Sequence, residues 1–186
     1  RNQAWFPGET LITGIGQGFI VVTPLQLAVS TAIIANRGHF LAPRVVQAVG
    51  QGGDISALGE EEVSRVRLND PEDWEEVVQA MVDVVHAPRG TARRIAEGMG
   101  YRMAGKTGTA QVFSLGQDEE YDAEEVEKRL RDHALFVAFA PVGDPRIAVA
   151  VLVENGGGGS STAAPIARTV VDHYLGAAQA GAGDDP

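Results

Sequence analysis

The chain has 186 residues, no cysteine and a formal net charge of −10, with an ordinary hydrophobic fraction of 44%. That length suits one domain burying ~70% of its unfolded surface, and the charge argues against a nucleic-acid partner, which wants a basic face. The missing cysteines exclude thiol catalysis, disulfides and cysteine-ligated zinc, and no run of ~18 apolar residues is there to span a membrane. The sequence opens at Arg1 rather than Met and runs straight into Trp5-Phe6-Pro7 without a signal peptide, so it reads as a fragment or a processed product.

Residues 1–22 mix aromatics with glycines. Gly14-Ile-Gly16-Gln17-Gly18 is a glycine-rich turn whose spacing does not fit a dinucleotide fingerprint, and close backbone packing is its expected use. Phe19-Ile-Val-Val22 is expected to be a short buried strand or extended segment. Thr23-Pro24-Leu25-Gln26 opens a helix with an N-cap, a proline at the first helical position and a capping-box glutamine. Leu27, Ala28, Val29, Ala32, Ile33 and Ile34 leave it little polar surface, which predicts burial. Asn36-Arg37-Gly38 ends it, with Gly38 suited to a left-handed position, and His39 at the exit reads as structural. Phe40 to Val49 contains Pro43 and is at most an irregular edge strand. Gly50 to Asp54 is a turn, and Glu60 to Arg67 reads as charged surface.

Asp70-Pro71 is expected to cap the next helix. Trp74, Val77, Val78, Met81, Val82 and Val85 then recur at helical spacing as a core-facing stripe, and Pro88 stops it. Thr91 is expected to cap a short helix over 92–97. The stretch Tyr101 to Phe113 follows, YRMAGKTGTAQVF, holding one of the chain's two lysines, Lys106; the other is Lys128. Thr and Val favour an extended chain, and glycines allow a ligand close to the backbone. A lone cation among small hydroxyl residues suits a strand that holds an anionic substrate, and equally an edge strand whose lysine discourages pairing. Residues Gly100 to Thr107 also match the phosphate-loop pattern G-x-x-x-x-G-K-[ST]. That pattern needs a strand before it and a helix at the lysine. Here a helical segment precedes and Gly108 with β-prone residues follows. An apolar strand ending at Glu154, faintly like a magnesium-site strand, keeps a nucleotide-binding alternative open.

Residues 114–132 form a charged excursion. Asp122 with Glu125 can make a capping box, and Glu124/Lys128, Glu125/Arg129 and Glu127/Arg131 are acid-first pairs four apart. A solvated helix is the plain reading, and a non-enzymatic module docking a cell-wall partner through this helix is the other. His133–Ala140 and Arg146–Glu154 are apolar strands joined by Pro141-Val-Gly-Asp-Pro145, a predicted antiparallel hairpin. Asn155-Gly-Gly-Gly-Gly-Ser-Ser161 is either a flexible Gly/Ser linker or a strand-to-helix turn made for close approach. A last helix, 163–175, carries Ile166, Val170 and Tyr174 on one face, and 176–186 is expected to be a disordered tail.

Five motifs stand in a familiar order: Gly14-Ile-Gly-Gln-Gly18 before Thr23-Pro24, Gly105-Lys-Thr-Gly-Thr-Ala-Gln111, Arg129-Leu-Arg-Asp-His133, Phe139-Ala-Pro141, and Glu154-Asn-Gly-Gly. Together they cover most of residues 5–175. The sequence resembles the C-terminal half of the transpeptidase domain of class B penicillin-binding proteins, and the elongation type most of all. K-T-G alone is a weak triplet; the ordered set is specific.

The resemblance implies an α/β fold of the α+β type, the serine β-lactamase/penicillin-binding-protein fold. Its antiparallel strands at 101–113, 133–140 and 146–154 would be covered by the last helix on one face and by helices 24–36 and 71–86 on the other. It implies a peptidoglycan D,D-transpeptidase, a serine acyltransferase acylated by β-lactams, with no cofactor and no metal. Such enzymes carry S-x-x-K, S-x-N and K-T-G. None of Ser30, Ser56, Ser64, Ser114, Ser160 or Ser161 starts either serine motif, so both are expected upstream, and the isolated chain is expected to be inactive. By resemblance, Lys106 supports proton transfer and attracts the substrate carboxylate, and Thr107 and Thr109 hydrogen-bond it. Gly108 lets the acyl chain lie against the strand, and the Thr109 N–H is an oxyanion-hole donor. The implied partners are peptidoglycan stem peptides, β-lactam antibiotics, the upstream half of the same domain and elongation-complex membrane proteins. The implied location is the periplasmic face of the inner membrane.

Overall fold

The structure is a computed structural model and describes residues 5–51, 54–59, 62–111 and 127–181. Helix α1 (Pro7–Gly14) leads through a glycine turn to α2 (Pro24–Ala35). Four short strands follow, β1 (His39–Leu41), β2 (Ala48–Gln51), β3 (Asp54–Ala57) and β4 (Glu62–Arg65), then α3 (Asp73–His86) and a 3-10 turn (Arg93–Ala96). The central sheet is β5 (Ala104–Ala110), β6 (His133–Ala140) and β7 (Ile147–Val153). A π-turn (Gly159–Ala163) runs into α4 (Ala164–Gly181).

The sheet order is β5-β6-β7, antiparallel throughout, as the hairpin reading predicts. Side chains alternate along β6, so Ala134, Phe136, Ala138 and Ala140 turn to one face and Phe139 to the other. The first set packs with Ala163, Ala164, Ala167 and Val171 of the π-turn and α4, and with Met103 and Ile95. Phe139 and Ala104 pack with Val78, Met81 and Val82 of α3 and Ala35 of α2. The sheet therefore lies between α4 on one side and α2 with α3 on the other, a mixed helix and antiparallel-sheet fold.

Local chemistry explains several boundaries. Thr23 accepts from the Gln26 N–H while Gln26 accepts from the Thr23 N–H, the full capping box. Gly38 has φ 96°, and a Cβ there would lie 3.0 Å from the Trp74 ring. Arg37 is left-handed too, φ 50°, and its guanidinium makes a two-pronged bond to Glu75 at 2.7 and 3.0 Å, tying the end of α2 to α3. That bond holds the Glu75 carboxyl below its ordinary range.

Other expectations are corrected. Phe19 to Val22 forms no strand and is exposed, up to 90% at Val21, and the residues before it form a helix, α1. Only Thr31 and Ala35 of α2 are buried, because the described residues pack against one side of it alone. The α3 stripe is narrower than its spacing suggests: Val78, Met81, Val82 and Val85 are buried, whereas Trp74 is half-buried and Val77 is exposed. Ile166, Val170 and Tyr174 do share a face of α4, but it is the exposed one. Alanines go inward instead, since they let the helix approach a sheet already filled by Phe136. β1 pairs with β4 and β2 with β3, so the segments around Pro43 and within 60–67 contain strands that composition hides.

Helix α4 continues through Gly181, past the residue 175 at which the sequence reading ends it; residues 182–186 lie outside the described residues. So do 112–126, which hold most of the expected acidic helix. What is described there is a 3-10 turn, Lys128–Leu130, and an exposed Arg129–Glu127 pair at 2.7 Å.

Candidate active-site wall

Lys106, Thr107, Gly108 and Thr109 all lie within β5, opposite Val137, Phe136, Leu135 and Ala134 of β6. No helix begins at Lys106, which removes the phosphate-loop reading: a phosphate loop works by presenting the unpaired N–H groups of a helix start, and here those groups belong to a sheet. Alternation puts Lys106 and Gly108 on the face of Ala104, and Thr107 and Thr109 on the other.

β5 is an edge strand, paired with β6 alone among the described residues. Two contacts show which way its backbone points. The Lys106 Nζ donates to the Thr107 carbonyl at 2.7 Å, and the Gln17 Nε2 donates to the Thr109 carbonyl at 2.7 Å. Both carbonyls thus face away from β6. In an antiparallel ladder a residue turns its N–H and C=O to the same side, so the N–H groups of Thr107 and Thr109 face the open edge as well. The result is an edge with paired donors and acceptors and an exposed ammonium beside it. No carboxylate among the described residues forms a salt bridge with Lys106.

The strand is held from behind by close packing. A Cβ at Gly105 would sit 2.6 Å from the Phe136 ring. A Cβ at Gly159 would sit 2.6 Å from the Gly108 carbonyl oxygen and closer still to that of Leu135. The glycine run therefore ends, at Gly159, directly on the β5–β6 backbone, where only glycine fits. Asn155, at φ 53°, anchors it: its Nδ2 donates to the Arg129 and Arg131 carbonyls at 3.0 and 2.9 Å, and its N–H donates to His133 Nδ1 at 2.9 Å. The Gly157 N–H adds a bond to the Asp132 carbonyl at 2.9 Å. Two motifs far apart in sequence, 129–133 and 154–157, are thus one hydrogen-bonded unit.

Thr91 corrects a further expectation. It caps no helix; its Oγ1 lies 3.3 Å from the Thr107 Oγ1. Sequence reasoning assigned no site role to Thr91 or Gln17. The only trace of the second was the glycine turn around it. Below the strand, the His86 Nε2 accepts the Met103 N–H at 3.1 Å, and burial with the nearby Arg102 charge lowers the His86 pKa from 6.5. Tyr101 donates to Asp172 at 2.6 Å; burial, then that carboxylate, pushes the phenol well above its usual range. Among the described residues no group of three His, Cys, Asp or Glu is placed to hold a metal ion, and no helix is long and apolar enough to cross a membrane.

The site is thus an antiparallel sheet with helices on both faces, a K-T-G edge strand and a glycine turn packed behind it. Residues 1–172 match the penicillin binding protein transpeptidase domain, and the chain belongs to that family. It is 43% identical over 176 residues to the peptidoglycan D,D-transpeptidase MrdA of Haemophilus influenzae, covering 94% of this chain and 27% of that protein. The crystal structure of Pseudomonas aeruginosa PBP2 in complex with WCK 5153 superposes with a TM-score of 0.75 at 44% identity, over 93% of this chain and 35% of that one. The Helicobacter pylori PBP2 in complex with MreC gives 0.63 at 30% identity, over 94% and 29%. The chain thus spans about a quarter to a third of the length of the relatives it matches.

Proposed function

We propose that this chain is the K-T-G-bearing part of a peptidoglycan D,D-transpeptidase. The open edge of β5 carries the reading, because it sets a cation, two hydroxyls and an outward N–H along one strand. An extended stem peptide adds to such an edge as a further strand. Lys106 attracts its carboxylate and supports proton transfer around the serines; Thr107 and Thr109 hydrogen-bond the carboxylate. Gly108, with no side chain, leaves room for the acyl chain. When a serine attacks the scissile carbonyl, the Thr109 N–H receives the developing oxyanion, a donor typically worth ~3 kcal/mol in the transition state.

The nucleophile and its activating base belong, on this reading, to the upstream half of the same domain, which supplies S-x-x-K and S-x-N. The MrdA relative supports the reaction assigned. β-Lactams enter as covalent mimics of the stem peptide, in keeping with the family's penicillin-binding character. The Helicobacter pylori PBP2–MreC complex supports an elongation-complex membrane protein as a further partner. The domain works on the periplasmic face of the inner membrane, held by an anchor outside this chain. In the whole protein, Lys106→Ala should slow acylation by a fluorescent penicillin by ~100-fold or more, the scale of losing one preorganised electrostatic group. Acylation at the parental rate would refute the role given to Lys106.

A further inference from the structure

The structure assigns Gln17 a positioning role: its side-chain amide sets the open edge of β5 at Thr109. The inference rests on reading β5 as the substrate strand. Gln17 lies in the turn between α1 and α2, between Gly16 at φ 77° and Gly18 at φ 74°. The turn is tied to α1 by the Gly16 and Gln17 N–H groups, which donate to the Thr13 and Ile12 carbonyls at 3.0 and 3.1 Å. From this base the Gln17 Nε2 reaches across 92 residues of sequence to the Thr109 carbonyl at 2.7 Å.

The position of that contact matters. Thr109 is the penultimate residue of β5, and its backbone has no ladder partner on the outer side among the described residues. An edge strand is loosest at its end, yet an oxyanion donor must be held close to its working position before the reaction starts. The bond to Gln17 restrains the Thr109 carbonyl on the open side, where β6 cannot, and through it the backbone of the residue whose N–H is the donor. A carbonyl oxygen has two lone pairs, so Gln17 takes one and leaves the other for a substrate N–H. Only a donor serves here. A carboxylate of the same length accepts and does not donate at neutral pH, so Gln17→Glu keeps the reach and removes the bond.

The test uses the whole protein and three measurements: the rate of acylation by a fluorescent penicillin, its pH dependence, and the thermal midpoint. Gln17→Ala should acylate roughly 5- to 10-fold more slowly, the rate equivalent of one net hydrogen bond. Its midpoint should stay near that of the parent, because Gln17 is only half-buried. Gln17→Glu should show a similar deficit at pH 7.5 that shrinks, relative to the parent, as pH falls towards ~5, where a growing fraction of the carboxyl is protonated and can donate. A purely structural role would not produce that recovery. Parental acylation in Gln17→Ala, or a Gln17→Glu deficit independent of pH, overturns the inference. Faster acylation in Gln17→Ala also overturns it, and would make Gln17 an obstruction on the edge. If the parent itself takes up no penicillin, the functional reading falls and this inference with it; a parent that acylates normally beside indifferent variants sinks the inference alone.

Discussion

The sheet of β5, β6 and β7 and the segment from Trp5 to Leu41 are both rich in apolar residues, and they end in opposite circumstances. Phe136, Phe139, Met103 and Val171 are wholly enclosed. Leu11 and Ile15 are 77% exposed and Val21 is 90% exposed. The sheet's core is closed by α4 on one face and by α3 with the inner side of α2 on the other. The second brings one helix, α2, to the sheet with one side only, and its other helix, α1, buries no residue. Scattered exposed apolar residues are ordinary, but a continuous run of them marks a surface made for contact. On the function proposed above, the upstream half of the domain covers that run, and the boundary between the halves passes beside the edge where the chemistry takes place. Gln17 belongs to the exposed segment and Thr109 to the sheet.

The contrast can be broken at either end. Phe136→Ala empties space under both Gly105 and α4 and should cost ~3–5 kcal/mol, seen as a large drop in the denaturation midpoint. A shift within error would mean that the sheet does not organise the core. A smaller effect is expected from pH. Burial and Arg102 hold the His86 pKa below 6.5, so the unfolded chain takes up the proton first. The stability His86 protects is present above about pH 6.5 and is lost as pH falls towards the folded-state value. His86→Gln keeps an acceptor for the Met103 N–H and should flatten that part of the profile. Identical slopes in parent and variant would contradict the assignment. The smallest effect should come from the open side: Val21→Ser in the isolated 186-residue chain should change stability by no more than ~0.5 kcal/mol. The same change in the whole protein should cost more, if upstream residues cover Val21, and equal costs would remove that cover from the account.

How much of this could be read in advance depended on how local the cause was. The Thr23/Gln26 cap needs only four residues and was legible. So were β6 and β7, two apolar runs around a proline-bounded loop, and Lys106 to Thr109 as a strand, because Gly108 and β-prone neighbours disfavour a helix there. The faces of the helices were not. Ile166, Val170 and Tyr174 have the spacing of a core stripe, but the choice between them and Ala163, Ala164, Ala167 and Val171 is made by how closely α4 must approach Phe136. The burial expected of Phe19 to Val22 failed for a related reason, since hydrophobicity says that a residue wants cover and not where the cover comes from. Of the candidate site, the motif residues were legible and their supports were not. Thr91 read as a helix cap because threonine before a helical stretch usually is one. Its partner, Thr107, is set by the fold, as is the partner of Gln17.

The central claim is that this chain forms one wall of a serine acyltransferase and does not hold its nucleophile. Intact-mass spectrometry after incubation with a β-lactam tests it most directly, with the whole protein and the 186-residue chain run side by side. The account predicts a stoichiometric mass increase in the whole protein, mapped to a serine outside this chain, and no change in the chain alone. An adduct of the drug's mass on Ser30, Ser56, Ser64, Ser114, Ser160 or Ser161 would contradict it.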